Sequence, residues 1–291
     1  DLQSMRELIP STMDRLHELS NKSGGLIGSS TGYKDLDNKL QGLQNGDLIV
    51  VAGRPSMGKT SLAMNVAENV LLDSESKGSV LIFSLEMPGE SLTTRLLSGM
   101  TKLNQQNVRS GMLKDDELRI LFQQSEKLKN LPLWIDDSSI LSPMELRAKA
   151  RRLARTEKDG LSLIVVDYLQ LMQLPLSSEN RVNQISEISR SLKSLAKELN
   201  VPVIALSQLN RAVENRPNKR PIMADLRDSG AIEQDADVIL FIYRDEVYNE
   251  DSEHGNKAEI IIGKQRNGPI GTVNPVSYTH LTLRRIGVCR S

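Results

Sequence analysis

The first thirty residues differ in pattern from the rest of the chain. Residues 1–20 predict an amphipathic linker helix, because apolar side chains recur there at helical spacing, at Met5, Leu8, Ile9, Met13, Leu16 and Leu19. Pro10 lacks a backbone N–H group, so we expect it to kink or restart this helix. Residues 21–31 are rich in glycine and serine and predict a flexible linker. Since a short helix is marginal on its own, its apolar stripe should pack either on its own domain or on a neighbouring subunit.

From residue 32 to residue 273, apolar runs alternate with segments of helical periodicity. The runs that predict strands are Asp47–Ala52, Val80–Leu85, Leu133–Asp136, Leu161–Val166, Val203–Ser207, Val238–Tyr243 and Ala258–Gly263. The segments that predict helices include Thr60–Leu72, Asp115–Lys129, Ser142–Thr156 and Arg181–Leu199. Asn267-Gly268 after the last run predicts a tight turn. Continuous apolar strands separated by helices predict an α/β fold with a mostly parallel central sheet flanked by helices.

The composition argues against a disulfide-rich, zinc-binding or membrane-spanning protein. The 291 residues carry a formal net charge of zero, so contact with nucleic acid must come from a local basic patch. The single cysteine, Cys289, excludes a disulfide framework and favours a reducing compartment such as the cytoplasm. The three histidines are scattered, which argues against a zinc site. No apolar run approaches the roughly 20 residues that span a bilayer, and no signal peptide is visible.

The strongest chemical signal is a phosphate-binding loop. Residues 53–60, Gly-Arg-Pro-Ser-Met-Gly-Lys-Thr, match G-x-x-x-x-G-K-[ST] between a predicted strand and a predicted helix. Backbone N–H groups of such a loop and the following helix N-terminus surround phosphate. We therefore expect the nucleotide to be bound by Gly53, Arg54, Pro55, Ser56, Met57, Gly58, Lys59, Thr60 and Ser61. Lys59 should reach the β- and γ-phosphates of ATP, and the Thr60 hydroxyl should ligate Mg²⁺.

Carboxylates follow three other predicted strands. Asp167 ends a buried run and suits the role of holding Mg²⁺, although such a residue is often a cap or turn residue. Glu86 is the first acidic residue after the run at 80–85. Parallel strands end at one edge of the sheet, so Glu86 is a candidate for polarising the water that attacks the γ-phosphate; the alternative is a surface loop residue. Asp136 and Asp137 are interpreted as structural.

A neutral amide and a basic loop follow the run at 203–207. Gln208 is placed to contact a γ-phosphate and report its loss to the next loop. That loop, residues 209–230, contains Arg211, Arg216, Lys219, Arg220 and Arg227. No Phe, Tyr or Trp lies between Tyr168 and Phe241, so this segment offers no aromatic platform for bases. It would contact DNA phosphates, without regard to sequence and with sensitivity to salt; the alternative is a solvated charged loop.

Lys264 and Arg266 form the last candidate pair. Two cations separated by one residue on a strand point to the same side, and cations that reach another subunit's γ-phosphate stabilise charge in the transition state. Spacing alone leaves open an ordinary basic pair on the surface.

Taken together, these motifs resemble one family. The segments that carry the resemblance are Gly53–Thr60, Ser84-Leu-Glu-Met, Val165-Val-Asp-Tyr-Leu-Gln, Ala205-Leu-Ser-Gln-Leu-Asn-Arg, residues 225–237 and Lys264-Gln-Arg-Asn-Gly. The set is similar to the C-terminal motor domain of the bacterial and phage replicative DNA helicases of the DnaB family, over residues 5–273. The resemblance implies a RecA-like core, a homo-hexameric ring around single-stranded DNA, and 5′→3′ unwinding driven by ATP and Mg²⁺ bound between subunits.

The resemblance also implies a role for each matching residue. Lys59 and Thr60 bind phosphate and Mg²⁺, Glu86 is the catalytic base, and Asp167 is the second magnesium ligand. Gln208 is the γ-phosphate sensor. The pair that reaches the neighbour's nucleotide is Lys264 and Arg266. The loop that contacts the DNA backbone contains Arg227, Asp228 and Gly230. The linker helix packs on the adjacent subunit, and a primase and a helicase loader are the expected partners of the full-length protein. No membrane contact is implied, and the location is the bacterial cytoplasm or that of a phage's host.

Two departures from the family accompany these expectations. The family's N-terminal helical domain is absent before residue 1, which predicts a truncated form. After Val273 the family continues with an apolar strand, whereas residues 274–291 read as a vector-derived or out-of-frame tail. We therefore place the motor domain at residues 32–273.

Other classes share part of this signature. A recombination ATPase of the RecA or RadA kind has the phosphate loop and the glutamate but forms filaments. A non-motor regulatory ATPase would bind a protein partner and show no stimulation by DNA.

Overall fold

The computed structural model describes residues 4–21, 26–74, 76–172, 181–249, 252 and 257–277. The helices are α1 (Met5–Asn21), α2 (Lys34–Leu40), α3 (Lys59–Leu72), α4 (Gly89–Thr101), α5 (Gln105–Ser110), α6 (Asp115–Lys129), α7 (Pro143–Thr156), α8 (Arg181–Leu199) and α9 (Gly230–Asp235). The strands are β1 (Leu48–Gly53), β2 (Ser79–Ser84), β3 (Leu133–Asp136), β4 (Leu161–Asp167), β5 (Val203–Gln208), β6 (Val238–Tyr243), β7 (Lys257–Gln265) and β8 (Gly271–Ser277). Short 3-10 helices lie at Leu169–Leu171, Arg211–Asn215, Met223–Ser229 and Asp245–Val247.

All these strands form a single mixed sheet in the order β3-β2-β4-β5-β1-β6-β7-β8. The strands from β3 to β6 in this order are parallel, whereas β7 and β8 are antiparallel additions at one side. Strand β1, which leads into the phosphate loop, lies between β5 and β6. The predicted α/β class, a RecA-like core with a mostly parallel sheet between helices, is confirmed.

Helices cover both faces of the sheet, which explains why the central strands are apolar throughout. Alternate residues of β1 point to opposite faces: Val51 packs with Leu62 of α3, while Val50 packs with Leu192 of α8. Every residue of β1, β2 and β6 is buried. Burial on both faces removes the polar alternation that a half-exposed strand would show.

The linker helix continues through Pro10 as one element, Met5–Asn21, so the proline does not restart it; the kink stays a prediction. The hydroxyls of Ser11 and Thr12 donate to the carbonyl oxygen of Leu8 at 2.9 and 2.7 Å, the bond to the preceding turn that such side chains commonly make within helices. The apolar stripe is exposed, with Met5 69% and Met13 58% accessible. Within the described residues, α1 therefore does not pack its stripe on its own domain.

Part of the predicted flexible linker belongs to the domain. Ser29 forms an isolated antiparallel bridge with Leu43, and the hydroxyls of Ser30 and Thr31 each donate to Asp37 at 2.7 Å. Glycine is needed at position 28 because a Cβ there would lie 2.1 Å from the carbonyl oxygen of Leu43. The boundary at residue 31 was thus placed too late; residues 22–25 lie outside the described part.

The C-terminal boundary also moves. Strand β8 runs to Ser277 and pairs with β7, with Val276 opposite Ala258. Residues 274–277, which we assigned to the tail, continue this strand; residues 278–291 lie outside the described part. None of the helices in the described ranges is long and apolar enough to cross a membrane.

Candidate nucleotide-binding site

The phosphate loop connects a buried strand to a helix, as predicted. Gly53 ends β1 and Lys59 is the first residue of α3. Gly58, at the N-cap of α3, has a φ of +97°, a left-handed conformation that glycine adopts without steric cost. The N-terminus of α3 thus faces the loop, and the N–H groups of a helix's first turn favour an anion there.

A cleft at the carboxyl ends of the parallel strands brings the predicted residues together. It is lined by Pro55, Ser56, Gly58, Lys59, Thr60, Ser61, Glu86, Met87, Arg95, Asp167, Tyr168 and Gln208. These residues come from the phosphate loop, α3, α4 and the segments at or just after the ends of β2, β4 and β5. The shared edge of parallel strands accounts for their meeting.

Three residues of the phosphate loop do not line the cleft. Gly53 lies in the strand end, and the Met57 side chain is only 2% exposed in the core. The Arg54 side chain points away toward the loop after β5, where its Nε donates to Glu214 Oε1 and its Nη1 to the Leu209 carbonyl oxygen, each at 2.8 Å. Nucleotide contact from all three stays a prediction, because such a loop holds phosphate through backbone N–H groups. The side chains of Arg54 and Met57 help to support the loop.

Thr60 and Asp167 form the centre of the site. The Thr60 hydroxyl donates to Asp167 Oδ2 at 2.8 Å. Burial raises the pKa of Asp167, while the Thr60 hydrogen bond and the charges of Lys59 and Arg95 oppose the rise. A hydroxyl and a carboxylate oxygen are the ligand types that Mg²⁺ prefers, and Mg²⁺ commonly takes only one or two protein ligands together with phosphate and water. The oxygens present therefore fit this ion.

Lys59 lies over the loop within the same cleft. Its Nζ donates to the Arg54 carbonyl oxygen at 3.1 Å. Burial lowers the pKa of Lys59, and the nearby carboxylates of Asp167 and Glu86 counteract that effect. A half-buried cation in this cleft is well placed for a phosphate.

Glu86 lies in the turn between β2 and α4, and its side chain is exposed to the cleft. The turn is fixed by Ser84, whose hydroxyl donates to the Met87 carbonyl oxygen at 2.7 Å and accepts from the Met87 N–H at 3.2 Å. Asp136 and Asp137 do not reach the cleft. Asp136 binds Lys149 at 2.5 Å and Asp137 accepts from the Gly89 N–H at 2.8 Å, which supports their structural interpretation.

Several residues at the site were not predicted. Arg95 of α4 lines the cleft, and its buried Nε has no hydrogen-bond partner among the described residues. Arg244 follows β6, and its Nη1 donates to the Ser56 carbonyl oxygen at 3.2 Å. Gln170 binds the end of β5. The only signal in the sequence was for Gln170, a polar residue within the apolar segment after Asp167.

Lys264 and Arg266 lie far from this cleft in their own chain. They are at the end of β7, beside the start of β6, hence at the opposite edge of the parallel sheet. Lys264 Nζ donates to the carbonyl oxygens of Glu233 and Ala236 at 2.5 and 2.7 Å, and Arg266 Nη2 donates to that of Gln234 at 2.6 Å. Both cations thus cap the C-terminal end of α9.

The candidate DNA loop is only partly described. Arg227 and Asp228 belong to the 3-10 helix at Met223–Ser229, but their side chains lie outside the described part; Gly230 begins α9. Two basic residues of the loop are neutralised, since Arg216 binds Asp225 at 2.8 Å and Arg220 binds Glu259 at 2.6 Å.

Aromatic rings do lie beside the loop, although none occurs within it. The ring of Tyr243 lies under the Arg220 guanidinium at 4.7 Å, and that of Tyr248 under Lys219 Nζ at 4.8 Å. These tyrosines come from β6 and the segment after it. The expectation that the segment itself offers no aromatic platform for bases stays a prediction, and Tyr243 beside it is buried.

Comparison with known proteins agrees with this geometry. The sequence model of the family described as DnaB-like helicase C terminal domain matches residues 28–283. The replicative DNA helicase DnaB of Pasteurella multocida (strain Pm70) is 56% identical over 275 residues, which cover 93% of this chain and 58% of that protein. The corresponding protein of Buchnera aphidicola subsp. Acyrthosiphon pisum (strain APS) is 53% identical over 273 residues, covering 93% and 59%. The chain thus spans under two thirds of the length of these relatives.

Solved structures share the fold. One described as an ATPase domain superposes with a TM-score of 0.88 at 36% identity and covers 95% of this chain and 96% of its own. Another, titled "The Structure Of A DnaB-Like Replicative Helicase And Its Interactions With Primase", gives a TM-score of 0.83 at 37% identity and covers 94% of this chain and 64% of its own. The phosphate loop, the strand order and these matches agree, and the chain belongs to the DnaB-like helicase C-terminal domain family.

Proposed function

We propose that this chain is the motor of an ATP-dependent 5′→3′ replicative DNA helicase, which moves along single-stranded DNA and separates the duplex at a fork. The observation that carries the proposal is one cleft in which the Thr60–Asp167 pair, Lys59, Glu86 and Gln208 surround the N-terminus of α3. Family membership supports the DNA-directed use of this ATPase site.

The cleft suits ATP with Mg²⁺. Backbone N–H groups of Ser56–Ser61 and the Lys59 ammonium would hold the phosphates, and Thr60 with Asp167 would hold the ion. When bound, Mg²⁺ supplies positive charge to the β- and γ-phosphate oxygens.

The chain's own groups then perform the reaction. The exposed carboxylate of Glu86 accepts a proton from the attacking water and orients it toward the γ-phosphorus. Gln208 hydrogen-bonds the γ-phosphate. Lys264 and Arg266 act in trans, since within one chain they lie at the other edge of the sheet. A neighbouring subunit brings them to the phosphate, where they stabilise the developing charge.

The motor assembles from several copies of the chain and binds further partners. A homo-hexameric ring places each cleft against the next subunit's basic pair, and the exposed stripe of α1 packs on that neighbour. Arg227, Asp228 and Gly230 contact the backbone of single-stranded DNA. A primase and a loader bind the full-length protein, which acts in the cytoplasm of the bacterium or of a phage's host.

Unwinding of a forked DNA substrate tests the proposal. We expect the parent chain to separate the strands with ATP and Mg²⁺, and Lys59→Ala to abolish both unwinding and hydrolysis. Closed rings seen with an ATP analogue and single-stranded DNA would separate a helicase from a filament-forming recombinase. Hydrolysis that DNA does not stimulate would count against any DNA motor.

A further inference from the structure

The end of β5 is supported differently on its two sides. On one side, Gln208 lies in register with Gly53 of β1. On the other side, the β4–β5 ladder includes only Ile164–Val166 with Val203–Ala205. Asp167 and Gln208 both lie beyond that ladder, so the candidate magnesium ligand and the candidate sensor are not joined by strand pairing.

The Gln170 side chain fills this gap. Its Nε2 donates to Ser207 Oγ at 2.9 Å and to the Gln208 carbonyl oxygen at 3.2 Å, and its Oε1 accepts from the Gln208 N–H at 3.3 Å. One amide thus satisfies both the donor and the acceptor of the Gln208 backbone, as a neighbouring strand would. Ser207 is fully buried, so water does not compete freely for these bonds.

Gln170 is not itself among the residues that line the cleft. It belongs to the 3-10 helix Leu169–Leu171, which begins two residues after Asp167. Any effect of Gln170 on the nucleotide must therefore pass through Gln208 or through the segment that carries Asp167.

We propose that Gln170 is a positioning residue, which fixes the sensor Gln208 relative to the magnesium-side carboxylate Asp167. The inference rests on the proposed ATPase function and deepens it. The Gln170 amide holds the end of β5 in the position from which the Gln208 side chain contacts the γ-phosphate. Movement of Gln208 when the phosphate leaves is thereby shared with the segment that follows Asp167.

The fold around Gln170 is also held by contacts other than its amide. Leu169 and Met172 are buried and anchor the 3-10 helix in the core. Gln170→Leu keeps a side chain of similar size but removes the donor and the acceptor, and Gln170→Glu keeps an acceptor for the Gln208 N–H. Both variants are expected to fold, with the melting temperature of Gln170→Leu a few degrees below that of the parent because Ser207 and Gln208 lose these partners.

Hydrolysis rates and nucleotide affinities of these variants test the inference. Loss of a net hydrogen bond at a catalytic element corresponds to about a tenfold fall in rate, so we expect Gln170→Leu to lower kcat about tenfold. Gln170→Glu should fall between this variant and the parent. The Kd for an ATP analogue should not change, because Gln170 does not touch the nucleotide. Gln123→Leu makes the same substitution on the exposed face of α6 and should leave kcat unchanged.

A double-mutant cycle separates positioning from a general structural effect. In a Gln208→Ala background, Gln170→Leu should cause no further loss of kcat, since the side chain that it positions is gone. A full additional loss in that background would overturn the inference, as would a weaker Kd or an unchanged kcat in Gln170→Leu alone. If Gln208→Ala itself hydrolyses ATP like the parent, the sensor role within the proposed function fails instead.

Discussion

Glu86 and Asp167 share the cleft but differ in surroundings. Asp167 is buried and bonded to Thr60, whereas Glu86 is exposed. Only Glu86 is therefore free to receive a proton from water. We expect Glu86→Gln to lower hydrolysis by about 10²- to 10⁴-fold without weakening the binding of an ATP analogue. Glu90→Gln, an exposed acid in the first turn of α4, is the matched control. A normal rate in Glu86→Gln would remove it from the base role.

Asp47 gives the stability of the domain a pH dependence. Burial, with the Asp237 carboxylate in second place, raises the pKa of Asp47 to about 6, while Lys193 and Arg266 oppose the rise. The folded protein then binds the proton more tightly than the unfolded chain does. The cost of ionising Asp47 in the folded protein is therefore absent below the unfolded pKa, grows as pH rises from there, and is complete above about 6.

Urea unfolding of Asp47→Asn across pH 4 to 8 measures that penalty. The variant should gain stability over the parent by on the order of 2 kcal/mol as pH rises from about 4 to 7. Asp35→Asn, on the exposed side of α2, should show no such trend. A pH-independent difference for Asp47→Asn would contradict the assignment.

At the level of single residues, the sequence predicts which residues take part in the site better than it predicts where their side chains point. Lys59, Thr60, Glu86, Asp167 and Gln208 meet in one cleft because strand ends share an edge. Arg54 lies within the same motif, yet its side chain supports another loop. Whether a side chain faces the cleft depends on loop conformation and on partners distant in sequence, which spacing does not encode.

Among the elements, we expect the contact between the phosphate loop and the 3-10 helix Arg211–Asn215 to couple nucleotide binding to DNA binding. Arg54 binds Glu214 of that helix, at the start of the candidate DNA loop. We expect Glu214→Gln to reduce the stimulation of hydrolysis by single-stranded DNA several-fold, because the link between nucleotide and DNA loop weakens.

The ratio of stimulated to basal hydrolysis is the quantity to measure. Glu126→Gln, which removes an exposed acid from α6, should keep the parent ratio. Unaltered stimulation in Glu214→Gln would show that the Arg54–Glu214 pair is only structural.

Element boundaries were predicted well wherever apolar periodicity was strong. Leu133–Asp136, Asp115–Lys129 and Arg181–Leu199 have the predicted limits. Residues 28–31 were misassigned because glycine and serine also occur where chains pack closely, as Gly28 does against Leu43. Helices α2, α5 and α9 were missed, since six or seven residues contain too few turns to show a helical period. The 13-residue helix α4 was not predicted either, so short length does not explain every miss.

Across the whole molecule, the active site should be shared between subunits. Arg266→Ala is expected to bind nucleotide and yet lose hydrolysis, because its own cleft is intact but its neighbour's is incomplete. Mixing Arg266→Ala with Lys59→Ala subunits should restore some hydrolysis, since one kind of junction then combines an intact cleft with an intact basic pair. Hydrolysis measured over a range of mixing ratios provides the check. Absence of recovery at every ratio would exclude action in trans.

The phosphate loop and the Lys264–Arg266 pair lie at opposite edges of the sheet. Each subunit therefore has two different ends, one with the cleft and one with the cations. The two edges are separated by the length of β6, roughly 15 Å of extended chain. Subunits that complete one another's sites must then join head to tail. An open row of such subunits always leaves one cleft without its cations, whereas a closed ring leaves none. Ring closure would therefore add the last working site, and hydrolysis per subunit would rise with assembly until the ring closes.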